Sequence, residues 1–223
     1  MARLPEHLKS APAGRERVSQ EVMQEHQRER VVGRAIPVFA KRGYNATTID
    51  DLLAAGKVGV GNFYELFAGK EDCFLVAYER IFSAAREEVE TAAAPGEDWA
   101  EKTYLGLRAL IDFGLAHPLE ARLVLLEAQS AGDAALSRYN GLLDEALVWL
   151  RRGREQHRGA RDLPPGFERA SVSGLAFYLQ QCLLEPRGHD AEDLFGEVAA
   201  MILEPIIGAR ALARLRDSLA ATA

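Results

Sequence analysis

Cysteines, paired histidines and long apolar runs are scarce in this chain, and each scarcity excludes a class of protein. The two cysteines, Cys73 and Cys182, lie far apart, so they form neither a metal-ligand spacing nor a disulfide framework. The five histidines form no H-x-x-x-H or H-x-x-E-H pair, so no metal site is predicted. No stretch approaches the roughly 18 apolar residues of a membrane span, and residues 1–14 contain no secretory signal. We therefore expect a reduced, cytoplasmic protein without a membrane partner.

Catalytic patterns are missing as well. No glycine-rich phosphate loop follows a strand, and no serine nucleophile elbow occurs. The sequence therefore predicts neither enzymatic activity nor a cofactor. Hydrophobic residues make up 48% and charged residues 27% of the 223 positions, which is enough apolar material for a packed core. A chain of this length forms one large domain or two small ones.

The net charge of −6 is unevenly distributed. Residues 1–70 contain 11 basic and 8 acidic residues, a net of +3, whereas the remainder contains 16 and 25, a net of −9. A basic N-terminal segment on an acidic body is typical of a protein that binds phosphates with one end. Chance clustering is the alternative interpretation.

Helical periodicity dominates the sequence and strand signals are nearly absent, which predicts an all-α fold class. The first helix is predicted to end at Gly43, with Ser19 as a possible N-cap. Pro37 lies inside it and removes one backbone hydrogen bond, so we expect this helix to be bent but not broken.

Two shorter helices and a long one follow. Thr48 and Asp51 form a capping box that opens a second helix, which ends at Gly56. A very short third helix is predicted over residues 60–67, and a long helix begins at Lys70. Beyond a small-residue linker at 92–96, five more helices are predicted at about 98–116, 119–130, 133–157, 166–185 and 190–219, the last of them kinked or divided at Pro205.

The second and third helices form a helix-turn-helix pattern, because a tight turn joins them and the third helix is too short to be stable alone. Such a helix enters the major groove of DNA by its N-terminal end. Gly59 and Gly61 would let the backbone approach the duplex, and Asn62 can address an adenine edge. Tyr64 and Lys70 can reach phosphates. The alternative is that Tyr64 packs in the core with the neighbouring phenylalanines and that Lys70 is merely solvated.

Two segments, FAKRGYNATTIDDL at 39–52 and VGNFYELFAGKED at 60–72, closely resemble the head of the tetracycline-repressor (TetR) family. More than a dozen positions match without a gap, and the resemblance covers about residues 28–82, roughly a quarter of the chain. It implies a homodimer in which each head binds one half of a palindromic operator in double-stranded DNA. It also implies a C-terminal bundle that binds a small molecule and releases DNA by moving the long connecting helix.

The resemblance assigns roles to individual positions. Thr48, Tyr64 and Lys70 would hold phosphates, and the residues at 60–62 would face the bases. The complete set of predicted DNA contacts is Thr47, Thr48, Lys57, Gly59, Val60, Gly61, Asn62, Tyr64 and Lys70.

Three positions depart from the family pattern. The usual Ala-Gly of the turn is Gly56-Lys57, so the glycine stands one place early and a different turn geometry is expected. Gly59 replaces a serine or threonine cap, a loss of a few tenths of a kcal/mol. Glu65 would repel phosphate unless it pairs with Lys57 or accepts from a cytosine. Glu65 and the irregular turn support an alternative function, an all-α small-molecule carrier or interaction module with degraded DNA binding.

The predicted organisation is a flexible arm (1–18), a helix-turn-helix DNA-binding domain (19–70) and a ligand-binding and dimerisation domain (71–223). The arm could reach the minor groove or stay solvated; its basic residues are Arg3, Lys9, Arg15 and Arg17. The effector is expected to be small and largely apolar. Its predicted contacts are polar and aromatic residues of the bundle: Trp99, Tyr104, Arg108, Phe113, His117, Glu127, Trp149, Tyr178 and Gln181.

A homodimer is expected through the last two long helices. Small residues there would permit close approach, and larger apolar residues would supply the burial. The small residues are Ser171, Ser173, Gly174, Ala199 and Ala200, and the larger ones are Phe177, Leu184, Phe195 and Ile202.

Overall fold

Every regular element in the described part of the chain is helical, which confirms the all-α fold class. The computed structural model describes residues 13–185 and 190–221. Its helices are α1 (Ala13–Arg42), α2 (Ile49–Gly56), α3 (Val60–Leu66), α4 (Lys70–Ala93), α5 (Trp99–Ala116), α6 (Pro118–Leu125), α7 (Asp133–Gln156), α8 (Phe167–Leu184), α9 (Ala191–Ile207) and α10 (Ala209–Ala220). Short 3-10 turns occupy Glu127–Ser130 and Arg158–Ala160. Arg3 and Lys9 of the predicted arm lie outside the described residues. Within those residues no helix has the length and apolarity needed to cross a bilayer.

The first helix is longer than predicted, because α1 begins at Ala13 and not near Ser19. The prediction that Ser19 is the N-cap is therefore wrong. The preceding segment is rich in arginine and glutamate, which are good helix formers, so nothing stops the helix there. As predicted, α1 passes Pro37 without a break. It ends at Arg42, and the next residue, Gly43, has a φ of 82°, in the left-handed region that glycine tolerates.

The core of the head is built from the facing sides of α1, α2, α3 and α4. Phe39 of α1 lies edge-on to Phe74 of α4 with ring centroids 5.2 Å apart, and both rings are fully buried. Phe63 of α3 is also buried and packs on Phe67. Burying one such ring stabilises the fold by about 1.5–3 kcal/mol. Seven residues are too few to form a stable helix alone, so α3 depends on this packing.

Helix α4 belongs to the cores of both the head and the bundle. Its buried side includes Phe74 and Tyr78, and the same hydrophobic cluster continues into Phe113 of α5, Leu123 of α6 and Tyr139 of α7. The head is therefore packed continuously against the first half of the bundle. The predicted boundary at residue 70 coincides with the start of α4, but the hydrophobic core continues across it.

A second hydrophobic cluster surrounds α9 and includes residues of α5, α7, α8 and α10. Phe195, Ile202 and Ala199, which were expected at the contact between two copies, are already buried in this cluster. That expectation is corrected for all three residues, because their side chains are used inside the protomer.

Two of the predicted helices are divided. The segment expected at 119–130 consists of α6 and the 3-10 turn after it. The segment expected at 190–219 divides at Gly208, with a φ of 86°, and not at Pro205, which lies inside α9. The break falls three residues after the proline, where the backbone takes a conformation that residues with a side chain rarely adopt.

Candidate nucleic-acid interface

Helix α2 begins with the predicted capping box. The Thr48 backbone N–H donates to Asp51 Oδ2 at 2.9 Å, and the Asp51 backbone N–H donates to Thr48 Oγ1 at 3.2 Å. The Thr48 backbone N–H and the Thr48 hydroxyl, which both donate to the Asp51 carboxylate, lower the pKa of Asp51 below its ordinary value. Thr48 is exposed and its hydroxyl donates to Asp51. Thr48, which is predicted to contact a phosphate, therefore lies at a helix N-terminus whose geometry is fixed by the capping box.

The turn between α2 and α3 explains why its glycine stands one place early. Gly56 is buried, and a Cβ there would come within 3.3 Å of a methyl of Val31 and 3.4 Å of a methyl of Val58. The next residue, Lys57, takes the left-handed conformation, with φ 52° and ψ 50°. The glycine thus serves close packing on α1, and a lysine occupies the turn position that glycine would fill most easily. Lys57 is exposed, beside the start of α3.

Helix α3 has one side in the core and the other in solvent. Phe63 points inward, whereas Val60 is 56% exposed and Tyr64 52% exposed. Gly61 and Asn62 are exposed as well. Tyr64 touches the edge of Phe63, with centroids 5.7 Å apart, but it is not a core residue. The predicted base-facing residues and Tyr64 therefore share an accessible surface.

The N-cap of α3 is Gly59, which supplies no side-chain hydrogen bond, as the sequence predicts. A Cβ at Gly59 or at Gly61 would meet nothing within 4 Å. Internal packing does not require glycine at either position. Another molecule can therefore approach the backbone here without obstruction.

Lys70 is placed differently from a freely solvated cation. Its ammonium donates to the carbonyls of Tyr44 and Thr47 at 2.9 and 3.0 Å, and it lies 4.2 Å from the centroid of the Tyr44 ring. The Thr47 side chain is only 1% exposed and its hydroxyl donates to the Gly43 carbonyl at 2.7 Å. Both residues hold the turn between α1 and α2, and the Thr47 side chain does not face solvent.

The bundle holds the same turn from the other side. Glu127 accepts the backbone N–H of Tyr44 at 2.8 Å through its carboxylate. Arg122 of α6 donates from Nε to the carbonyl of Ala40 at 2.8 Å, in the last turn of α1. A cation at the carbonyl end of a helix is favourable there. Glu127, predicted as an effector contact, is thus a link between the bundle and the head, and Arg122 was not singled out in the sequence.

The two tryptophans predicted to line an effector site have their indole groups satisfied within the fold. Trp99 donates to the Trp149 carbonyl at 3.0 Å, and Trp149 donates to Thr103 Oγ1 at 2.9 Å. The Thr103 hydroxyl in turn donates to the Trp99 carbonyl at 2.6 Å. A Cβ on Gly153 would lie 2.3 Å from the Trp99 ring, so the indole packs directly on α7. This network joins α5 to α7.

The other predicted effector contacts are spread over several places. Tyr104 and Arg108 lie against the ring of Phe195, and Arg108 also pairs with Asp112 and Glu192. The remaining four lie elsewhere: Phe113 packs on the exposed His117 in the first cluster, Tyr178 bonds to Glu197 on α9, and Gln181 is exposed on α8. The Glu197 carboxylate raises the pKa of Tyr178. The structure does not bring the nine residues together into one site.

Several groups that the sequence did not indicate are close together. The buried phenols of Tyr78 and Tyr139 belong to the first cluster, and Gln180 of α8 bonds to the second of them. An open cleft of about 520 Å³ lies elsewhere, lined by Arg151, Arg154, Glu155, Arg161 and Glu168. Residues of α4, α7 and α8 meet at the first place, and residues of α7, α8 and the segment between them line the second, so spacing along the chain gives no signal for either.

Metal and thiol chemistry have little support among the described residues. No group of three or more metal-ligating side chains occurs within 13–185 and 190–221. Cys73 is buried, and burial raises the pKa of its thiol to about 12, which keeps it protonated.

Comparison with known proteins identifies the head. Residues 32–77 match the family model of bacterial regulatory proteins, tetR family. The uncharacterized HTH-type transcriptional regulator YhgD of Bacillus subtilis (strain 168) is 27% identical over 85 residues, which cover 38% of this chain and 44% of that protein. The chain thus matches less than half the length of this curated relative.

Solved structures resemble a larger part of the chain. The fatty acid degradation regulator FadR from Bacillus halodurans superposes with a TM-score of 0.67 at 17% identity, over 79% of this chain and 95% of that one. The ketosteroid transcriptional regulator KstR2 of Mycobacterium tuberculosis gives 0.61 at 18% identity, over 81% and 94%. At such identities the likeness shows a shared fold.

Proposed function

Because this chain belongs to the tetR family of bacterial regulatory proteins through its N-terminal head, we propose that it is a transcriptional regulator that binds an operator in double-stranded DNA. The observation that carries the proposal is the division of α3, with Phe63 buried and the opposite side accessible. A short helix held by its core side offers its other side to the major groove.

Base recognition falls to the first turn of α3. Asn62 is exposed and carries the donor and acceptor that match an adenine edge. Gly61 and Gly59 let the backbone come close, and Val60 offers an apolar contact for a thymine methyl. The exposed Glu65 lies one turn after Gly61, and its negative charge would repel a nearby phosphate. Base specificity is therefore assigned to the first turn of α3.

Phosphate contacts surround that turn. Tyr64 presents its hydroxyl and Lys57 its ammonium, and Thr48 stands at the N-terminus of α2. Two of the three N–H groups of Lys70 are occupied by the carbonyls of Tyr44 and Thr47. We assign Lys70 mainly to positioning the turn, with one N–H left for a phosphate, and Thr47 to the same internal support.

The functional unit is a homodimer formed through α8 and α9. Exposed residues at a spacing of three or four form one side of α8, where Phe177 is 61% exposed and Leu184 52% exposed. Ser173 and Gly174 on the same side allow a second helix to approach closely. A two-fold dimer would place two heads on the two halves of a palindromic operator. Phe177→Asp should give a monomer in sedimentation and weaken operator binding.

The bundle is proposed to bind a small, largely apolar effector that releases the DNA, which makes the protein a repressor. The fatty acid degradation regulator FadR and the ketosteroid transcriptional regulator KstR2 have the same fold, and both descriptions support an apolar effector. The DNA-binding part (19–70) and the remainder (71–223) keep their proposed roles, with the qualification that α4 is shared in packing. The proposed arm (1–18) overlaps α1, which begins at Ala13.

Selection from random duplexes tests the proposal. The purified protein should enrich a palindrome, with an affinity that falls steeply as salt rises. Tyr64→Phe should weaken all sequences together, whereas Asn62→Ala should relax preference at one or two positions. Asn140→Ala, on the exposed side of α7, is the matched control and should change neither. Enrichment of no sequence at low salt would overturn the proposal and favour a small-molecule carrier.

A further inference from the structure

The buried hydroxyl of Tyr78 has no hydrogen-bond partner. Tyr78 lies in the middle of α4 and is 2% exposed. Burial raises the pKa of its phenol to about 12, so the group stays protonated and can donate. Buried hydroxyls in folded proteins are nearly always paired, because an unpaired one has lost its bonds to water without replacement. An orphaned donor of this kind calls for an acceptor.

A second phenol in the same cluster is held in place. The Tyr139 hydroxyl of α7 accepts from Gln180 Nε2 at 3.1 Å, and the same nitrogen donates to the Leu125 carbonyl at 3.0 Å. Tyr139 also acts electrostatically on Tyr78. The Phe82 ring, which is half-buried, stacks on Tyr78 with centroids 6.3 Å apart. The orphaned hydroxyl thus belongs to a group of aromatic side chains from α4 and α7, with charged residues of the same two helices nearby.

The charges next to this place are paired. Glu79 of α4 bonds to Arg138 of α7 at 3.0 Å, and Arg86 pairs with Glu145 one heptad further along both helices. Of the described residues that act on the Tyr78 phenol, Arg138 is the cation, and Glu79 already neutralises it. A bound anion would therefore lose its hydration and gain the Tyr78 hydroxyl but no unpaired cation, which is unfavourable in a buried site.

We propose that Tyr78 is the polar contact of the effector site and that the effector is an uncharged, largely apolar molecule with a hydrogen-bond acceptor such as a carbonyl oxygen. It binds between α4, α7 and α8, with its apolar body taking the place of Phe82 against Tyr78. This inference rests on the proposed regulatory function and names the ligand chemistry of that function. Tyr78 lies two turns along α4 from Lys70, whose ammonium holds the turn before α2.

Acetophenone and benzoate test the proposal, because they have nearly the same shape and differ in charge. Both are titrated into the full-length wild type, Tyr78→Phe and Tyr104→Phe, with binding followed by calorimetry and thermal shift. Wild type should bind acetophenone saturably and more tightly than benzoate. Tyr78→Phe should bind acetophenone at least about tenfold more weakly, because the donor is gone. Without probe, Tyr78→Phe should melt at a higher temperature than wild type, because the unpaired hydroxyl is removed.

Four results would overturn the proposal: no saturable binding of acetophenone by wild type, equal affinities in wild type and Tyr78→Phe, a preference for benzoate, or a loss confined to Tyr104→Phe, which would place the site in the other cluster. Probe-free DNA binding distinguishes the two proposals. Tyr78→Phe should select the same duplexes as wild type. A protein that binds the probe through Tyr78 but selects no DNA would refute the regulatory function alone.

Discussion

Gly61 allows DNA contact and helix stability to be separated by a single substitution. It lies in the first turn of α3, is exposed, and a Cβ there would meet nothing within 4 Å. Replacing a helical glycine with alanine stabilises a protein by about 0.5–1 kcal/mol, because the unfolded chain loses conformational freedom. Gly61→Ala should therefore raise the free energy of unfolding by about 0.5–1 kcal/mol.

The same methyl group should weaken operator binding. Since the free protein leaves its position empty, any clash must come from the bound DNA. Forcing one methyl into a closely packed contact costs about 1–3 kcal/mol, which corresponds to a loss of affinity of about 5- to 150-fold. Stability and affinity should thus change in opposite directions.

Urea denaturation measures the first effect, and fluorescence anisotropy with the selected duplex measures the second. Gly141→Ala is the matched control, because Gly141 is an exposed glycine of α7 with nothing within 4 Å of its Cβ position. It should gain similar stability and keep full affinity. If Gly61→Ala binds the operator as tightly as wild type, the backbone of α3 does not approach the DNA and the proposed docking is wrong.

Three further substitutions test the local physics. Lys57→Gly should stabilise the protein by about 1 kcal/mol in urea denaturation, because it removes the strain of a lysine in the left-handed conformation. The same substitution should reduce the salt slope of DNA binding by about 1, because one cation is lost. A loss of stability would contradict the first expectation. Thr103→Val should cost about 1–3 kcal/mol by leaving the Trp149 N–H unpaired, whereas Thr103→Ser should cost much less; equal losses would mean that packing dominates. Because its folded pKa is lowered, Asp51 should stabilise α2 fully above about pH 4 and lose that effect as the pH falls through the folded value. Melting curves of Asp51→Asn against pH should therefore be flatter than those of wild type in acid, and parallel curves would argue against the capping box as the cause.

Local signals predicted much of the head. The capping box at Thr48, the end of α2 at Gly56 and the start of α4 at Lys70 all depend on neighbours within four residues, and all three are present. The turn between α2 and α3 is different. A side chain at Gly56 would crowd Val31, which lies 25 positions away in another helix. A pattern read along the chain shows a displaced glycine there but not the contact that displaces it.

The proposed effector region could not be predicted from the sequence, for the same reason. Aromatic residues at helical spacing predict only that a side faces inward, and two such residues can end in different clusters. Trp99 and Trp149 lie together in the second hydrophobic cluster, where the indole of each donates a hydrogen bond to the helix of the other. Phe113 lies in the first cluster. The juxtaposition of Tyr78 and Tyr139 depends on α4 and α7 packing side by side, which no local signal specifies.

Tyr44 is where the head and the bundle are joined most directly. Its backbone N–H is held by Glu127 and its carbonyl by Lys70, so both polar groups of one residue depend on side chains outside the α1–α2 turn. Hydrogen bonds to charged groups contribute about 1.5–3 kcal/mol each, and coupling energies between ligand and DNA sites are typically about 1–3 kcal/mol. The loss of one of these bonds is therefore large enough to account for the proposed release of DNA. Because Thr48 follows four residues later and caps α2, a movement of α4 or of the 3-10 turn after α6 would reach, through Tyr44, the end of α2 that is proposed to contact phosphate.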